Sequence, residues 1–443
     1  MQNIPNRFRA QYTDRFMNSV RGTGEVMIQM ELVFKSRLDV DRLTKAFDLT
    51  LDAEPILGCR FVKRWWRPYW ERIDTNNRSV LAFTDDADIY ERFKNSPVDP
   101  CIGPQIKACL LRTPDMDHLL MKVAHEVADA GAVKQIAKVV SYTYSALAHD
   151  PEYRPKPNID GDRSLWQLLR YVPWYAYPTI LYDYYRVYMF PCLFPFASIH
   201  LPVVADDDRT LEYVNRAVPE DLLKLIIEYG HQRNATLNDI LMSALLHAIS
   251  AASDWDHKSQ LRLRITVDLR RFKPDSNGGG VCNLGGMEVI NLGTDLNDDF
   301  DYTLKRISSF MRQRKARWIG INDYVGLAPL TILFPHRLME KLMFLAMQSV
   351  MNMGMDPYVL ANGGAIEAKD VVFDTMPIKA RLLPTVDYPP HIVFAFTTYN
   401  GSLNISAGSW PCSKRPIERC LDEMVTVLSK LSSVRARDTE YVS

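Results

Sequence analysis

The sequence predicts a mixed α and β chain folded as two lobes, and three observations carry that expectation. The chain has 443 residues, beyond the size at which one hydrophobic core usually stops growing. Segments whose apolar residues recur at every second position are interleaved with segments of helical spacing, so strands and helices alternate. A compositionally distinct stretch, residues 165–208, separates a first lobe (1–164) from a second (209–443).

The first lobe opens with an entry segment and a strand at Val26–Phe34. Asp39-Val40-Asp41-Arg42-Leu43 starts a helix that sets Leu43, Phe47 and Leu51 on one face and stops before Pro55. Arg60–Val62, Trp66–Ile73, Val80–Phe83 and Gln105–Arg112 read as strands, the last leading through Pro114-Asp115 into another. There Leu119, Met121, Val123 and His125 alternate with Leu120, Lys122 and Ala124, which turns the His125 imidazole inward at the strand's end. The period then becomes helical, with Val133, Ile136, Ala137, Val140, Tyr144 and Leu147 on one face. A helix therefore begins near Ala130, capped by Asp129. A histidine closing a buried strand beside an aspartate at a helix start suits proton transfer. It suits a hydrogen-bonded core histidine and a plain helix cap as well, and spacing leaves both open.

Residues 165–205 crowd twelve aromatic side chains, from Trp166 to Phe196, between prolines. Val187–Ala205 carries no formal charge and is long enough to raise a transmembrane reading. Pro191, Pro195 and Pro202 argue against one continuous spanning helix, because each removes a backbone donor. A connection packed on the core and a lipid-facing patch are the other two readings. Asp206-Asp207-Asp208 reads as a solvated turn at the lobe boundary.

In the second lobe Val214–Val218 is a strand, and Thr236-Leu237-Asn238-Asp239 has capping-box spacing ahead of a helix at Ile240–Ala251. Leu261–Arg270 alternates as a strand. Asn277-Gly278-Gly279-Gly280 is a flexible loop without the spacing or lysine of a phosphate cradle. Phe300–Trp318 reads as a helix carrying Arg306, Arg312, Arg314, Lys315 and Arg317. Those cations are either a solvated face or a set that binds donor phosphates. Met339, Met343, Met347, Met351 and Met355 recur four apart over Leu338–Met355, a pattern that fits core and a pliable acyl pocket alike. His391–Tyr399 and Ser402–Ala407 flank Asn400-Gly401, a two-residue hairpin signal. A last helix runs from about Pro416 to Leu431.

Composition excludes some classes. Fifty-three basic residues balance 53 acidic ones, so nucleic acid is not the expected partner. Seven scattered cysteines without a C-x-x-C pair indicate neither a disulfide framework nor a zinc site, and a metal is not expected. A reducing cytoplasm is the natural setting, since the first residues have no secretory pattern.

Several stretches, in order, resemble the condensation-domain superfamily of acyltransferases. These are "LDVDRLTKAFDLTLDAEPILGCRF", "GPQIKACLL…DHLLMKVAHEVADAG", "ATLNDILMSALLHAI", "ITVDLRRF", "VCNLGG" and "VLANGGAIE". The resemblance spans most of residues 1–430. It implies an α/β (α+β) fold of two chloramphenicol-acetyltransferase-like lobes, each a mixed sheet with flanking helices, around an active-site tunnel. His125 matches the second histidine of H-H-x-x-x-D-G and Asp129 its aspartate. Ala124 replaces the first histidine, and Ala130 stands where the glycine is expected, with Gly131 one place later.

The resemblance further implies an acyl transfer from a thioester to a hydroxyl or amine, with His125 as general base. Asp129 would be structural and paired with a second-lobe arginine, for which Arg270 is the candidate. Ala130, Gly131, Asn283 and Asn362 are candidates for the tunnel wall. Arg312, Arg314 and Lys315 are candidates for the donor phosphates. No tightly bound cofactor is implied; acyl-CoA or a phosphopantetheine-linked acyl group on a carrier protein would be the cosubstrate. "LGGME" at 284–288 lacks the serine of a carrier motif, so the donor would arrive in trans. The aromatic stretch and the methionines favour a hydrophobic acyl group or lipid-like acceptor, with peripheral membrane contact. Two alternatives stand: an amide-forming condensation enzyme of the nonribosomal peptide type, and an inactive relative that binds an acyl chain or a protein.

Overall fold

A computed structural model describes residues 4–74, 80–203, 208, 210–253, 255, 257–274, 279–355 and 357–440, the side chains of residues 330 and 432–440 excepted. The expectations for Asp206, Asp207, Asn277 and Gly278 lie outside the described residues. The first half runs β1 (Arg7–Arg9), α1 (Tyr12–Val20), β2 (Gly24–Glu25), β3 (Met27–Phe34), α2 (Val40–Ala53), β4 (Cys59–Val62), β5 (Tyr69–Arg72), β6 (Leu81–Thr84), α3 (Ala87–Asn95), β7 (Ile106–Arg112), β8 (Asp117–Ala124) and α4 (Ala130–His149). Short helices α5 (Trp166–Leu169), α6 (Tyr177–Tyr184) and α7 (Phe190–Leu193) follow, α6 and α7 being joined by a π-helical turn at Tyr185–Met189.

The second half runs β9 (Glu212–Val218), α8 (Glu220–Gln232), α9 (Leu237–Ala252), β10 (Arg262–Asp268), β11 (Gly285–Asn291), α10 (Phe300–Lys315), α11 (Asn322–Leu333) and α12 (His336–Asn352). It ends with β12 (Tyr358–Ala365), β13 (Lys379–Leu383), β14 (Val386–Asp387), β15 (Val393–Tyr399), β16 (Ser402–Ser409) and α13 (Pro411–Glu440).

Two sheets organise these elements. The first has the order β13-β3-β8-β7-β6, the second β11-β10-β12-β15-β16-β9. β13 thus comes from the second half yet completes the first sheet, with Lys379 opposite Val33 and Leu383 opposite Gln29. β14 pairs with β2 in the same direction of exchange. Each sheet has its own core, one centred on Phe47, Leu119 and Val133, the other on Leu245, Ile265 and Phe394.

Local chemistry explains the element ends. Asp39 accepts from Arg42 N at 3.0 Å at the start of α2, which buries Leu43, Phe47 and Leu51. Thr236 and Asp239 close a reciprocal box on α9, the Asp239 carboxylate accepting from Thr236 N at 2.8 Å. Asn400 and Gly401 both take positive φ, 44° and 76°, as the tight hairpin between β15 and β16 demands.

Some elements depart from the sequence pattern. α1, within the presumed entry segment, buries Thr13, Asp14, Arg15, Asn18 and Ser19, a polar face that apolar periodicity does not register. α11 carries Pro329 inside it. β5 covers only half of Trp66–Ile73, because Trp65 and Trp66 lie on an exposed loop. α13 begins at Pro411 rather than Pro416. Lys122, on the face of β8 opposite His125, is buried: its ammonium donates to the carbonyls of Phe93 and Ser96 and to Ser96 Oγ. Burial pushes it down to about 7.

Residues 165–201 use two faces. Leu168, Val172, Ala176 and Ile180 pack into the second core, so the stretch is a packed connection on that side. Its other side is exposed. Among the described residues, no single helix is long and apolar enough to cross a membrane.

Candidate functional site

β8 stops at Ala124, and the chain turns through His125–Ala128 before Asp129 caps α4. The turn returns the Ala128 carbonyl to the His125 ring, 2.9 Å from Nδ1. A carbonyl oxygen can only accept, so Nδ1 carries a proton, and in the neutral ring the lone pair is on Nε2. Among the described residues nothing bonds to Nε2. His391, by contrast, has both ring nitrogens engaged, with the Asp387 carboxylate at 2.5 Å and the Pro357 carbonyl at 3.2 Å.

Two cavities meet at His125. The larger, about 380 Å³, is mostly apolar, with Val187, Leu327, Met343, Met347 and Val350 in its wall. The smaller, about 150 Å³, has the charged and polar side chains Lys134, Asp268, Arg270 and Asn283 in a wall that is otherwise largely apolar. His125, Ala130, Phe16, Met17 and Asp323 line both. Exposed residues stand in each wall, Met189, Cys192 and Ala346 on the larger and Asp268, Gly285 and Asn362 on the smaller, so each reaches the surface. Ala130, where the resemblance placed a glycine, is thus a wall residue of both cavities.

The carboxylate of Asp129 does not face the imidazole for proton relay, because its oxygens are taken. One accepts from Ala132 N at 2.8 Å; the other accepts from Arg270 Nη1 at 2.9 Å and Leu284 N at 2.7 Å. Burial alone would raise its pKa, but the Arg270 charge and these donors hold it below the usual carboxylate range. Burial likewise opposes the charge on Arg270, and Asp129 outweighs it, leaving the guanidinium more basic than usual. Arg270 also donates to Cys282 O at 3.0 Å. Asn283 donates its amide to the His125 carbonyl, so residues 268–285 of the second half grip the histidine loop of the first.

Gly131 is explained by this grip: a Cβ there would lie 2.7 Å from Arg270 Nη1. Asn362 sits exposed at the rim of the smaller cavity, bonded to Asn238 at 3.1 Å and accepting from Gly364 N at 2.8 Å. The three donor-phosphate candidates do not form a set. Arg314 is buried, its guanidinium between Asp183 and Glu288 at 2.6 Å from each, and cannot meet a phosphate in solvent. Arg312 is exposed but donates to Asn234 O at 3.0 Å, and Lys315 is half-buried. None of the three lines either cavity.

Sequence reasoning missed Asp323, Arg262, Arg264 and the α1 residues Phe16 and Met17. The alternation in β10 held the signal for two of them: Leu263, Ile265 and Val267 face the core, so Arg262, Arg264 and Thr266 face the cavity, where solvent was the natural reading. Asp323 had none. Burial pushes it up to about 7, against the pull of the Tyr188 hydroxyl and the Arg264 guanidinium. Of the methionine stripe, Met343, Met347 and Met355 line the larger cavity, whereas Met339 is buried outside it.

Neither a protein-family model nor a curated protein sequence matches the chain. Solved structures do. A trichothecene 15-O-acetyltransferase from Fusarium sporotrichioides aligns over 96% of this chain and 94% of its own, with TM-score 0.72 and 10% identity. The first condensation domain of the CDA synthetase aligns over 97% of each chain, with TM-score 0.70 and 13% identity. Polyketide synthase associated protein 5 from Mycobacterium tuberculosis aligns over 96% of this chain and 98% of its own, with TM-score 0.66 and 14% identity. At these identities the likeness is one of fold: the chain has the two-lobed condensation-domain and acetyltransferase-like architecture.

Proposed function

We propose that the chain is an acyltransferase that moves an acyl group from a thioester to a hydroxyl or amine, with His125 as general base. The observation that carries this reading is an imidazole with a free Nε2 lone pair at the junction of two cavities that reach the surface separately. Donor and acceptor enter from opposite sides and meet at that nitrogen. Nε2 takes the acceptor's proton as its oxygen or nitrogen attacks the thioester carbonyl. The tetrahedral adduct then collapses, the carbon–sulfur bond breaks, and the imidazolium returns the proton to the departing thiolate. Base catalysis of this kind supplies roughly 10²–10⁴-fold, and alignment of the two reactants supplies much of the rest. Asp129 and Arg270 hold the loop and take no proton.

The apolar wall of the larger cavity supports a hydrophobic acyl chain or a lipid-like acceptor. Acyl-CoA and a carrier-bound acyl group are both donors of the required chemistry. Incubation of the full chain with medium- and long-chain acyl-CoA and fatty alcohols, and separately with loaded carrier protein and amines, tests the proposal by product mass. Ester from acyl-CoA is the expected result. Amide formed only with the carrier would favour the condensation reading, and no transfer in any combination would remove the proposal.

A further inference from the structure

Helices α7 and α12 each give one face to the larger cavity and turn the other to solvent. On α7 and the residues flanking it, Val187, Tyr188 and Pro191 face inward while Phe190, Leu193 and Phe194 are exposed, Leu193 by 61%. On α12, Met343, Met347 and Val350 face inward while Leu342 and Leu345 are exposed, Leu345 by 60%. Met189, Cys192 and Ala346, which are both exposed and part of the cavity wall, mark a mouth between the two helices. An apolar opening is thus ringed by bulky apolar side chains, an arrangement that water disfavours.

The charges around this ring are mostly positive. Between Ser164 and Val203 the sole acidic residue is Asp183, and between Tyr324 and Met355 it is Glu340. Asp183 is buried against Arg314, and Glu340 is neutralised by Lys63 at 2.7 Å. Arg186 and Arg337, which reach the same two carboxylates at 4.0 and 3.6 Å, and Lys341 are exposed on the same elements. The loop Arg64-Trp65-Trp66-Arg67 borders α12, its carbonyls accepting from His336 N at 3.2 Å and Arg337 N at 3.3 Å. Trp65 and Trp66 on it are exposed between two exposed arginines. A chain of zero net charge therefore gathers cations, exposed indoles and aliphatic side chains along α12 and the segments beside it.

We propose that this face docks on an anionic bilayer surface. Tryptophan and the aliphatic side chains enter the headgroup boundary, and the arginines and Lys341 meet lipid phosphates. The larger cavity then opens towards hydrocarbon. That a lipid-borne acyl donor or acceptor enters there rests on the function proposed above; the docking does not.

Flotation of the full chain with phosphatidylcholine vesicles, with and without phosphatidylglycerol, tests the docking independently of any transfer. Binding is expected to be stronger by about tenfold or more on the anionic vesicles and to weaken with salt. Leu193→Glu combined with Leu345→Glu, at exposed positions outside the cavity wall, should lower binding about tenfold or more while the circular dichroism spectrum stays unchanged. A wild-type chain that stays with neither vesicle overturns the proposal, as does a double variant that binds like wild type. A concentration-dependent dimer that the double variant abolishes, without vesicle binding by wild type, assigns the face to a second copy instead.

Discussion

His125 owes its state to a neighbour three residues along the chain. The Ala128 carbonyl fixes the proton on Nδ1, so the site needs no carboxylate to choose the tautomer. Asp323 is the other ionisable group shared by both cavities, and its environment works against its charge. A carboxyl raised to about 7 in the fold, from about 4 when exposed, makes the folded state lose stability as pH rises through that interval. The sign follows because the folded state binds the proton more tightly. Asp323→Asn should therefore raise the melting temperature at pH 8 and leave it nearly unchanged at pH 4. The gain at pH 8 is bounded at about 4 kcal/mol, and thermal unfolding at the two pH values reads it. His125 was legible from alternation along its strand. Asp323 was not, because nothing in a helix-start aspartate reveals that a cavity will desolvate it.

At the scale of elements, the β8–α4 junction is held by a segment 141 to 158 residues further along the chain. Arg270, Asn283 and the Leu284 amide all bond to the loop that carries His125 and Asp129. Removing one member of such a buried pair leaves the other charge unmatched, at a cost of roughly 3–5 kcal/mol. Arg270→Met should lower stability by that amount at neutral pH, as urea unfolding measures. The deficit should shrink on acidification, because Asp129's depressed pKa contributes stability above about pH 4 that is lost as the pH falls through its folded value. The elements themselves were legible where apolar periodicity and caps agree, as in α2, β8, α4, α9 and the β15–β16 hairpin. They were not where the buried face is polar, as in α1, or where proline lies inside the helix, as in α11. Arg314 shows a related limit: a run of cations along a helix reads as one face, yet 3.6 residues per turn send one of them into the core between two carboxylates.

At the scale of the molecule, the two halves are interlocked rather than apposed. β13 leaves the second half to finish the first half's sheet, and the cavities form where the two sheets approach. Sequence patterns report single strands and not their partners, so this exchange was hidden while the overall class was plain. The account's central claim is that one imidazole between two separately open cavities moves the proton during acyl transfer. The most direct measurement is the initial rate of product formation by wild type and His125→Ala under identical donor and acceptor concentrations, with unfolding curves to certify the variant's fold. The account predicts a loss of about 10²–10⁴-fold at unchanged stability. Equal rates for the two proteins would contradict it.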